Sequence, residues 1–170
     1  MGYEEQFLAR QVMGGNNKRP GAQPHPAAAA VESATQRAAA KLGQGVPNVL
    51  VVEDNLVNQL IALEFLTLLG VRARLAIDGE EALTLCQAEA PDLVLMDIQM
   101  PGIDGLETTR RLRSMQGEGR LPHFPVVALS ALGQDSDLDA SRAAGMDAHL
   151  VKPVDFAQLS ETLSRYLKLS

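Results

Sequence analysis

Residues 95–105 read Leu95-Met-Asp-Ile-Gln-Met-Pro-Gly-Ile-Asp-Gly105 and mark the point at which an apolar segment ends in a carboxylate. The segment before that carboxylate, Asp92-Leu-Val-Leu-Met96, is a short apolar run typical of a strand that is buried on both faces. Pro101 and two glycines then predict a loop. Because ligands in open α/β sheets bind at the carboxyl ends of the strands, Asp97 lies where a functional side chain is expected.

Three further apolar segments end in side chains that carry charge or a hydroxyl group. The segments Asn48–Val52, Pro125–Leu129 and Ala148–Val151 are followed by Glu53 and Asp54, by Ser130 and by Lys152, respectively. If the strands are neighbours in a parallel sheet, three carboxylates meet at one edge and repel one another. A hard divalent cation such as Mg2+ would relieve that repulsion. Together these side chains could bind a metal, present a carboxylate nucleophile and neutralise the oxygens of a phosphoryl group in transfer.

From Val46 onward, strand and helix patterns alternate, which predicts a parallel α/β sheet with right-handed crossover helices. The helices are expected near residues 56–69, 78–89, 105–116, 135–144 and 155–168. Gly70 is placed to end the first helix, and Asp78 and Asp155 are placed to cap the second and the last. In the last helix we predict a buried stripe of Phe156, Leu159, Leu163 and Leu167.

The chain resembles the receiver (response-regulator) domain of two-component phosphorelay signalling over residues 47–168. The resemblance is carried by Val51-Val-Glu-Asp-Asn-Leu-Val-Asn-Gln59, Met96-Asp-Ile-Gln-Met-Pro101 and Ala128-Leu-Ser-Ala131, which are most similar to the receivers of hybrid histidine kinases. It implies a doubly wound, five-stranded parallel sheet with the flavodoxin-like order 2-1-3-4-5 and helices on both faces. In that order the first and third strands are neighbours, so the three carboxylates converge.

The resemblance also implies a role for each acidic residue. Asp97 matches the residue that accepts the phosphoryl group. Glu53 and Asp54 match the acidic pair, with Asp54 as a direct Mg2+ ligand and Glu53 acting mainly through bound water. The backbone carbonyl of Gln99 matches the third ligand that the protein gives to the metal.

The remaining site residues match positions that contact the phosphoryl group or respond to it in the family. Ser130 matches the hydroxyl residue that reports phosphorylation, and Lys152 matches the lysine that pairs with a phosphoryl oxygen. The family often holds the bond between this lysine and the next residue, here Pro153, in the cis form. The chain departs from the family at His149, where receivers usually carry Tyr or Phe. An imidazole can gain a proton near neutral pH, so we expect His149 to modulate the switch; the alternative is a partner-facing histidine without a switching role.

The function implied by the resemblance is acceptance of a phosphoryl group on Asp97 from a partner's phosphohistidine, with Mg2+ as cofactor. The partner would be a histidine kinase or a histidine phosphotransfer protein. The chain would act through protein contacts, or pass the phosphate on, rather than as a stand-alone enzyme. A receiver cut from a hybrid kinase would use the same chemistry. The alternatives are a receiver-like scaffold that binds partners without phosphorylation and a flavodoxin-type cofactor binder, which would not need three clustered acids.

Composition argues against several other classes. No apolar run reaches the roughly 18 to 20 residues of a membrane span, and the first residues lack a secretory signal. The single cysteine, Cys86, cannot form an internal disulfide, which fits a cytoplasmic protein. A net charge of −6 argues against direct binding to nucleic acid. Residues 1–45 are rich in Ala, Gly and Pro and are expected to be a flexible linker before a domain at 46–170, and no pattern indicates an oligomeric state.

Overall fold

The computed structural model describes residues 45–131 and 135–169, and within these ranges five strands alternate with five helices. The strands are β1 (Asn48–Val52), β2 (Arg72–Ala76), β3 (Leu93–Asp97), β4 (Val126–Ser130) and β5 (Ala148–Val151). The helices are α1 (Leu56–Leu68), α2 (Gly79–Ala88), α3 (Gly105–Gly117), α4 (Asp135–Ala144) and α5 (Phe156–Tyr166). The segment predicted to be flexible, residues 1–45, lies outside the described residues apart from Gly45.

The strands form one parallel sheet in the order β2-β1-β3-β4-β5, which confirms the predicted doubly wound fold. Strands β1 and β3 are adjacent, and Val52 is paired with Met96. Because the two parallel strands end side by side, Glu53 and Asp97 lie at the same carboxyl edge of the sheet.

Helices cover both faces of the sheet, so strands β1, β3 and β4 are buried along their whole length. One core cluster joins the sheet to α2 and α3 and includes Leu50, Met96, Cys86 and Leu112. A second joins it to α1 and α5 and includes Val51, Leu95, Leu66 and Leu163. Each fully buried leucine contributes about 2 kcal/mol relative to an exposed one, so these clusters hold the strand ends firmly in place. None of the described helices is both long and apolar enough to cross a membrane.

The helix ends follow the predicted signals. Asp78 accepts a hydrogen bond from the N–H of Glu81 at 2.8 Å, and Asp155 accepts one from the N–H of Gln158 at 3.0 Å. Gly70 follows α1 with a φ of +71°, a conformation that disfavours any side chain. The sequence therefore predicted these helix ends correctly.

The buried stripe predicted for α5 is correct for Leu159 and Leu163, which have no exposed surface, but wrong for Phe156, which is 37% exposed. The ring of Phe156 packs edge-on against Phe65 of α1, with ring centroids 5.3 Å apart. Phe156 is the first residue of its helix and packs against a neighbouring helix, so it covers the junction between two helices instead of entering the core.

Candidate functional site

Three carboxylates meet at the carboxyl edge of the sheet. Glu53 and Asp54 follow β1, Asp97 ends β3, and oxygen atoms of the three side chains lie within 4.8 Å of one another. Glu53 and Asp97 are 1% and 3% exposed, whereas Asp54 is exposed to solvent. We call these three residues the acidic cluster. It combines two carboxylates that are removed from water with one that water reaches.

Lys152, directly after β5, supplies positive charge to the acidic cluster. Its Nζ lies 2.7 Å from Oε2 of Glu53 and 3.0 Å from Oδ2 of Asp97. The peptide bond from Lys152 to Pro153 is cis. Within the described part of the chain, one ammonium group thus contacts two of the three carboxylates of the acidic cluster, which leaves the cluster with an excess of negative charge.

Burial and neighbouring charges give these groups different affinities for protons. Burial raises the pKa of Asp97 to about 6; the hydrogen bond from Lys152 opposes the rise, and the charge of Glu53 adds to it. Burial also acts to raise the pKa of Glu53, but hydrogen bonds from Lys152 and the Asn55 amide outweigh it and lower that pKa. For Lys152, burial acts to lower the pKa, but its contacts with the two carboxylates outweigh it and raise the pKa. Asp97 is therefore the buried carboxyl that gains a proton first as the pH falls.

Hydrogen bonds from nearby residues hold the two buried carboxylates in position. The N–H of Asn55 donates to Oε1 of Glu53 at 3.1 Å, and the side chain of Gln59 donates to the Glu53 carbonyl at 2.7 Å. The N–H of Gln99 donates to Oδ1 of Asp97 at 3.1 Å, while its own side chain is exposed. Sequence reasoning placed Gln99 at the site and missed Asn55 and Gln59. The sequence did offer one signal for Gln59, because a glutamine occupies an apolar position of the predicted first helix. In the structure this side chain is 6% exposed.

Gly105, the first residue of α3, lies directly against the backbone of Asp97. Its N–H donates to the carbonyl of Ile98 at 3.0 Å, and a Cβ added to Gly105 would overlap the carbonyl oxygen of Asp97. Only glycine allows α3 to approach the end of β3 so closely. The sequence placed Gly105 where the predicted loop meets the predicted helix 105–116. It did not indicate this contact, which arises from tertiary packing.

Ser130 and His149 are joined by a direct contact that the sequence did not predict, although it singled out both residues. Ser130 ends β4 and is 2% exposed, and its Oγ lies 2.6 Å from Nε2 of His149 on β5. The imidazole is half-buried, and its Nδ1 is buried without a hydrogen-bond partner in the part of the chain that the structure describes. The hydroxyl residue at the end of β4 is thus connected to β5, an outer strand of the sheet.

The donor set of the acidic cluster suits a hard divalent cation. All three donors are carboxylate oxygens, one of them open to solvent, and Mg2+ binds oxygen ligands while it keeps several water molecules. Lys152 offsets only part of the negative charge, so a cation would relieve the remaining repulsion. The residues present therefore fit such an ion.

Acidic, hydroxyl and ammonium groups at successive strand ends of this sheet define a signalling domain of the two-component type. The family model of the response regulator receiver domain matches residues 49–164 of the sequence, and the chain belongs to this family. Receiver domains are signalling switches rather than stand-alone enzymes.

Two curated relatives are each 35% identical to the chain. The match to the sensor histidine kinase GacS of Pseudomonas protegens covers 76% of this chain and 14% of GacS. The match to the polar-differentiation response regulator DivK of Brucella anthropi covers 71% of this chain and 95% of DivK. The chain is thus similar to a small part of a kinase and to nearly the whole of a response regulator.

Solved structures give the same result. One is the receiver domain of the sensor histidine kinase PA1611 from Pseudomonas aeruginosa, which holds a magnesium ion in its active-site cleft. It is 34% identical to this chain, and its TM-score is 0.64 over 72% of this chain and 98% of that one. The receiver domain of Ssk1 from Saccharomyces cerevisiae, co-crystallised with the histidine phosphotransfer protein Ypd1, is 29% identical. Its TM-score is 0.61 over 72% of this chain and 89% of that one.

Proposed function

We propose that the chain receives a phosphoryl group on Asp97 from a phosphohistidine of a partner protein, and then changes its protein contacts or passes the group on. The observation that carries this proposal is the position of Lys152 Nζ, 3.0 Å from Oδ2 of the buried Asp97. In the transfer, a carboxylate oxygen of Asp97 attacks phosphorus, a P–O bond forms and the P–N bond of the donor breaks. The electron pair of the broken bond stays on the donor imidazole, which leaves as the neutral ring because its other nitrogen carries a proton.

The residues around Asp97 each act on the group in transfer. Lys152 pairs with a phosphoryl oxygen, and Glu53, which contacts the same ammonium, holds it in position. After transfer, the hydroxyl of Ser130 donates to another phosphoryl oxygen, and this contact shifts the population between two conformations.

Mg2+ is the cofactor that we propose for the acidic cluster. Asp54, Asp97 and the carbonyl of Gln99 would hold the ion directly, and Glu53 would act mainly through bound water. When bound, the ion neutralises negative charge that develops on the phosphoryl oxygens. The magnesium ion in the active-site cleft of the related PA1611 receiver supports this assignment.

The donor is proposed to be a histidine kinase or a histidine phosphotransfer protein that docks on α1. The first two turns of α1, which follow Asp54 closely in the chain, expose four apolar side chains: Leu56, Val57, Leu60 and Ile61. A pocket lined by Ile61, Pro153 and Val154 continues this surface toward Lys152. Exposed apolar groups next to a charged site favour a partner interface over a solvated face. The complex of the Ssk1 receiver with Ypd1 supports this class of partner.

The test is the intact mass of the whole chain after incubation with acetyl phosphate and Mg2+. We expect the chain to gain one phosphoryl group, and the gain to disappear in Asp97→Asn and after chelation of the metal. The matched control is Asp139→Asn, which removes an exposed aspartate of α4 outside the acidic cluster and should be labelled like the native chain. Labelling of Asp97→Asn would show that another residue is the acceptor. A native chain that gains no mass would favour a scaffold that works without phosphorylation.

A further inference from the structure

The hydroxyl of Ser130 and the imidazole of His149 form a hydrogen bond inside the fold. Oγ and Nε2 are 2.6 Å apart, and Ser130 is 2% exposed. The residues lie on adjacent parallel strands, β4 and β5, whose register pairs Ser130 with Val151. The two adjacent strands therefore hold the hydroxyl against the ring, with Ser130 buried and His149 half-buried.

The direction of this hydrogen bond depends on which ring nitrogen of His149 carries the proton. With the proton on Nδ1, the O–H of Ser130 must donate to Nε2, and its proton is no longer available to another acceptor. With the proton on Nε2, the ring donates to Oγ and the hydroxyl proton is free. The tautomer of His149 thus decides whether Ser130 can donate to a second group.

Burial of Nδ1 favours the tautomer with the proton on Nε2. Nδ1 is inaccessible to solvent and has no hydrogen-bond partner within residues 45–131 and 135–169. A proton on Nδ1 would leave a buried N–H donor without an acceptor, which is rarer in protein interiors than an unpaired acceptor. A ring that carries its proton on Nε2 avoids this cost.

We propose that His149 is a positioning residue that donates from Nε2 to Oγ of Ser130 and so directs the Ser130 hydroxyl proton toward a phosphoryl oxygen on Asp97. The inference rests on the proposed function, because it requires a phosphoryl group at Asp97. Asp97 ends β3 and Ser130 ends the adjacent β4, so the hydroxyl lies at the same edge of the sheet as the group it would contact. Hydrogen bonds in a chain polarise one another, so donation from the ring strengthens the bond that the hydroxyl donates.

The first test measures the affinity of the full chain for the phosphoryl mimic beryllofluoride in the presence of Mg2+, by calorimetry. His149→Phe keeps an aromatic ring but removes the donor, and it should weaken binding about three- to tenfold, the usual net effect of one hydrogen bond. His149→Gln, whose amide N–H can replace the Nε2 donor, should restore most of the affinity. Failure of Gln to restore affinity would overturn the proposal.

A double-mutant cycle separates this role from packing. Ser130→Ala should itself weaken binding, and adding His149→Phe to it should cause no further loss. A loss from His149→Phe that is equally large with and without the Ser130 hydroxyl would overturn the proposal, because a packing contribution does not depend on that hydroxyl.

The second test is 15N NMR of the imidazole nitrogens before and after loading with beryllofluoride. In the loaded protein, Nε2 of His149 should carry the proton and Nδ1 should not, while the ring of the exposed His123 should be unaffected. A loaded protein with the proton on Nδ1 would overturn the inference. The amide signals of Asp97 and Gln99 report loading independently: if they fail to respond, the proposed function is wrong, and if they respond while His149 carries its proton on Nδ1, only this inference is wrong.

Discussion

Lys152 contacts Glu53 more closely than it contacts Asp97, with distances from Nζ to the carboxylate oxygens of 2.7 and 3.0 Å. The lysine is therefore held by the residue that follows β1 while it faces the last residue of β3. Because Glu53 is 1% exposed, water screens this interaction little, and a change at Glu53 should be felt at Asp97.

Replacing Glu53 by Gln should lower the pKa of Asp97 below its present value of about 6. The substitution removes a negative charge that raises this pKa and leaves Lys152 with Asp97 as its buried carboxylate partner. The measurement is a 13C NMR titration of the Asp97 carboxyl group in metal-free protein. Glu64→Gln, on the exposed side of α1, is the matched control and should leave the titration unchanged. An Asp97 titration that is the same in Glu53→Gln and the native chain would contradict this coupling.

The metal-free protein should lose stability relative to Asp97→Asn as the pH rises from about 4 to about 6. The pKa of Asp97 is raised from 3.8 to about 6, so the folded state holds this proton more tightly than the unfolded chain does. The resulting stabilisation is present below the lower pKa and is lost as the pH passes the higher one. A shift of two pKa units corresponds to about 3 kcal/mol. At about pH 7 this is the upper limit for the amount by which the free energy of unfolding of Asp97→Asn exceeds that of the native chain.

Urea denaturation in the presence of a chelator, at a series of pH values, measures this difference. Comparison of the two proteins largely cancels the contribution of Glu53, whose lowered pKa acts in the opposite direction. The two free energies of unfolding should converge below about pH 4. A difference that does not change with pH would show that Asp97 does not titrate in this range.

Replacing Gly105 by Ala should destabilise the protein by about 2 kcal/mol or more, since the new Cβ overlaps the carbonyl oxygen of Asp97 and must displace backbone. The matched control is Gly117→Ala in the same helix, where a Cβ meets nothing within 4 Å. There the substitution should be neutral or stabilising by up to about 1 kcal/mol. Thermal or urea unfolding measures the stability of both variants. Equal stabilities would mean that α3 can move away from Asp97 without a cost in free energy.

Replacing Leu60 by Asp should slow phosphotransfer from a phosphorylated histidine phosphotransfer protein of the same organism about tenfold or more, relative to labelling by acetyl phosphate. Leu60 is 42% exposed on the part of α1 that follows the acidic cluster, and loss of a central apolar contact commonly costs more than 1 kcal/mol of binding. Leu68→Asp, at the far end of α1, is the control and should leave the ratio of the two rates unchanged. A ratio that Leu60→Asp leaves unchanged would place the partner elsewhere, and an equal fall in both variants would show that the loss is not specific to the surface next to the acidic cluster.

The sequence was sufficient to predict that Glu53 and Asp97 lie close together, because their positions depend on strand order alone. Each ends an apolar strand, and the strand order of a doubly wound sheet makes the two strands neighbours. The contacts of Gly105 and Ser130 could not be predicted in the same way. They depend on how closely a helix approaches a strand and on side-chain orientation, which residue patterns do not specify.

Phe156 illustrates the same limit. Helical periodicity correctly assigned its helix face, the one that buries Leu159 and Leu163. Periodicity does not reveal how far a helix extends past the sheet that it covers, and the first turn of α5 packs against Phe65 of another helix.

Among the strands that the structure describes, β5 has one hydrogen-bonded neighbour, β4, whereas β1 and β3 each have two. His149 lies on β5 and Lys152 follows it directly, while Glu53 and Asp97 lie at the ends of strands with two neighbours. Displacing an outer strand breaks hydrogen bonds on one side only, so the response to a new ligand is concentrated where the backbone is easiest to open. In native-state hydrogen exchange the amides of β1 and β3 should therefore be protected far longer than those of β5, and the inner strands would serve as a fixed support for a deformable margin at β5, next to the site.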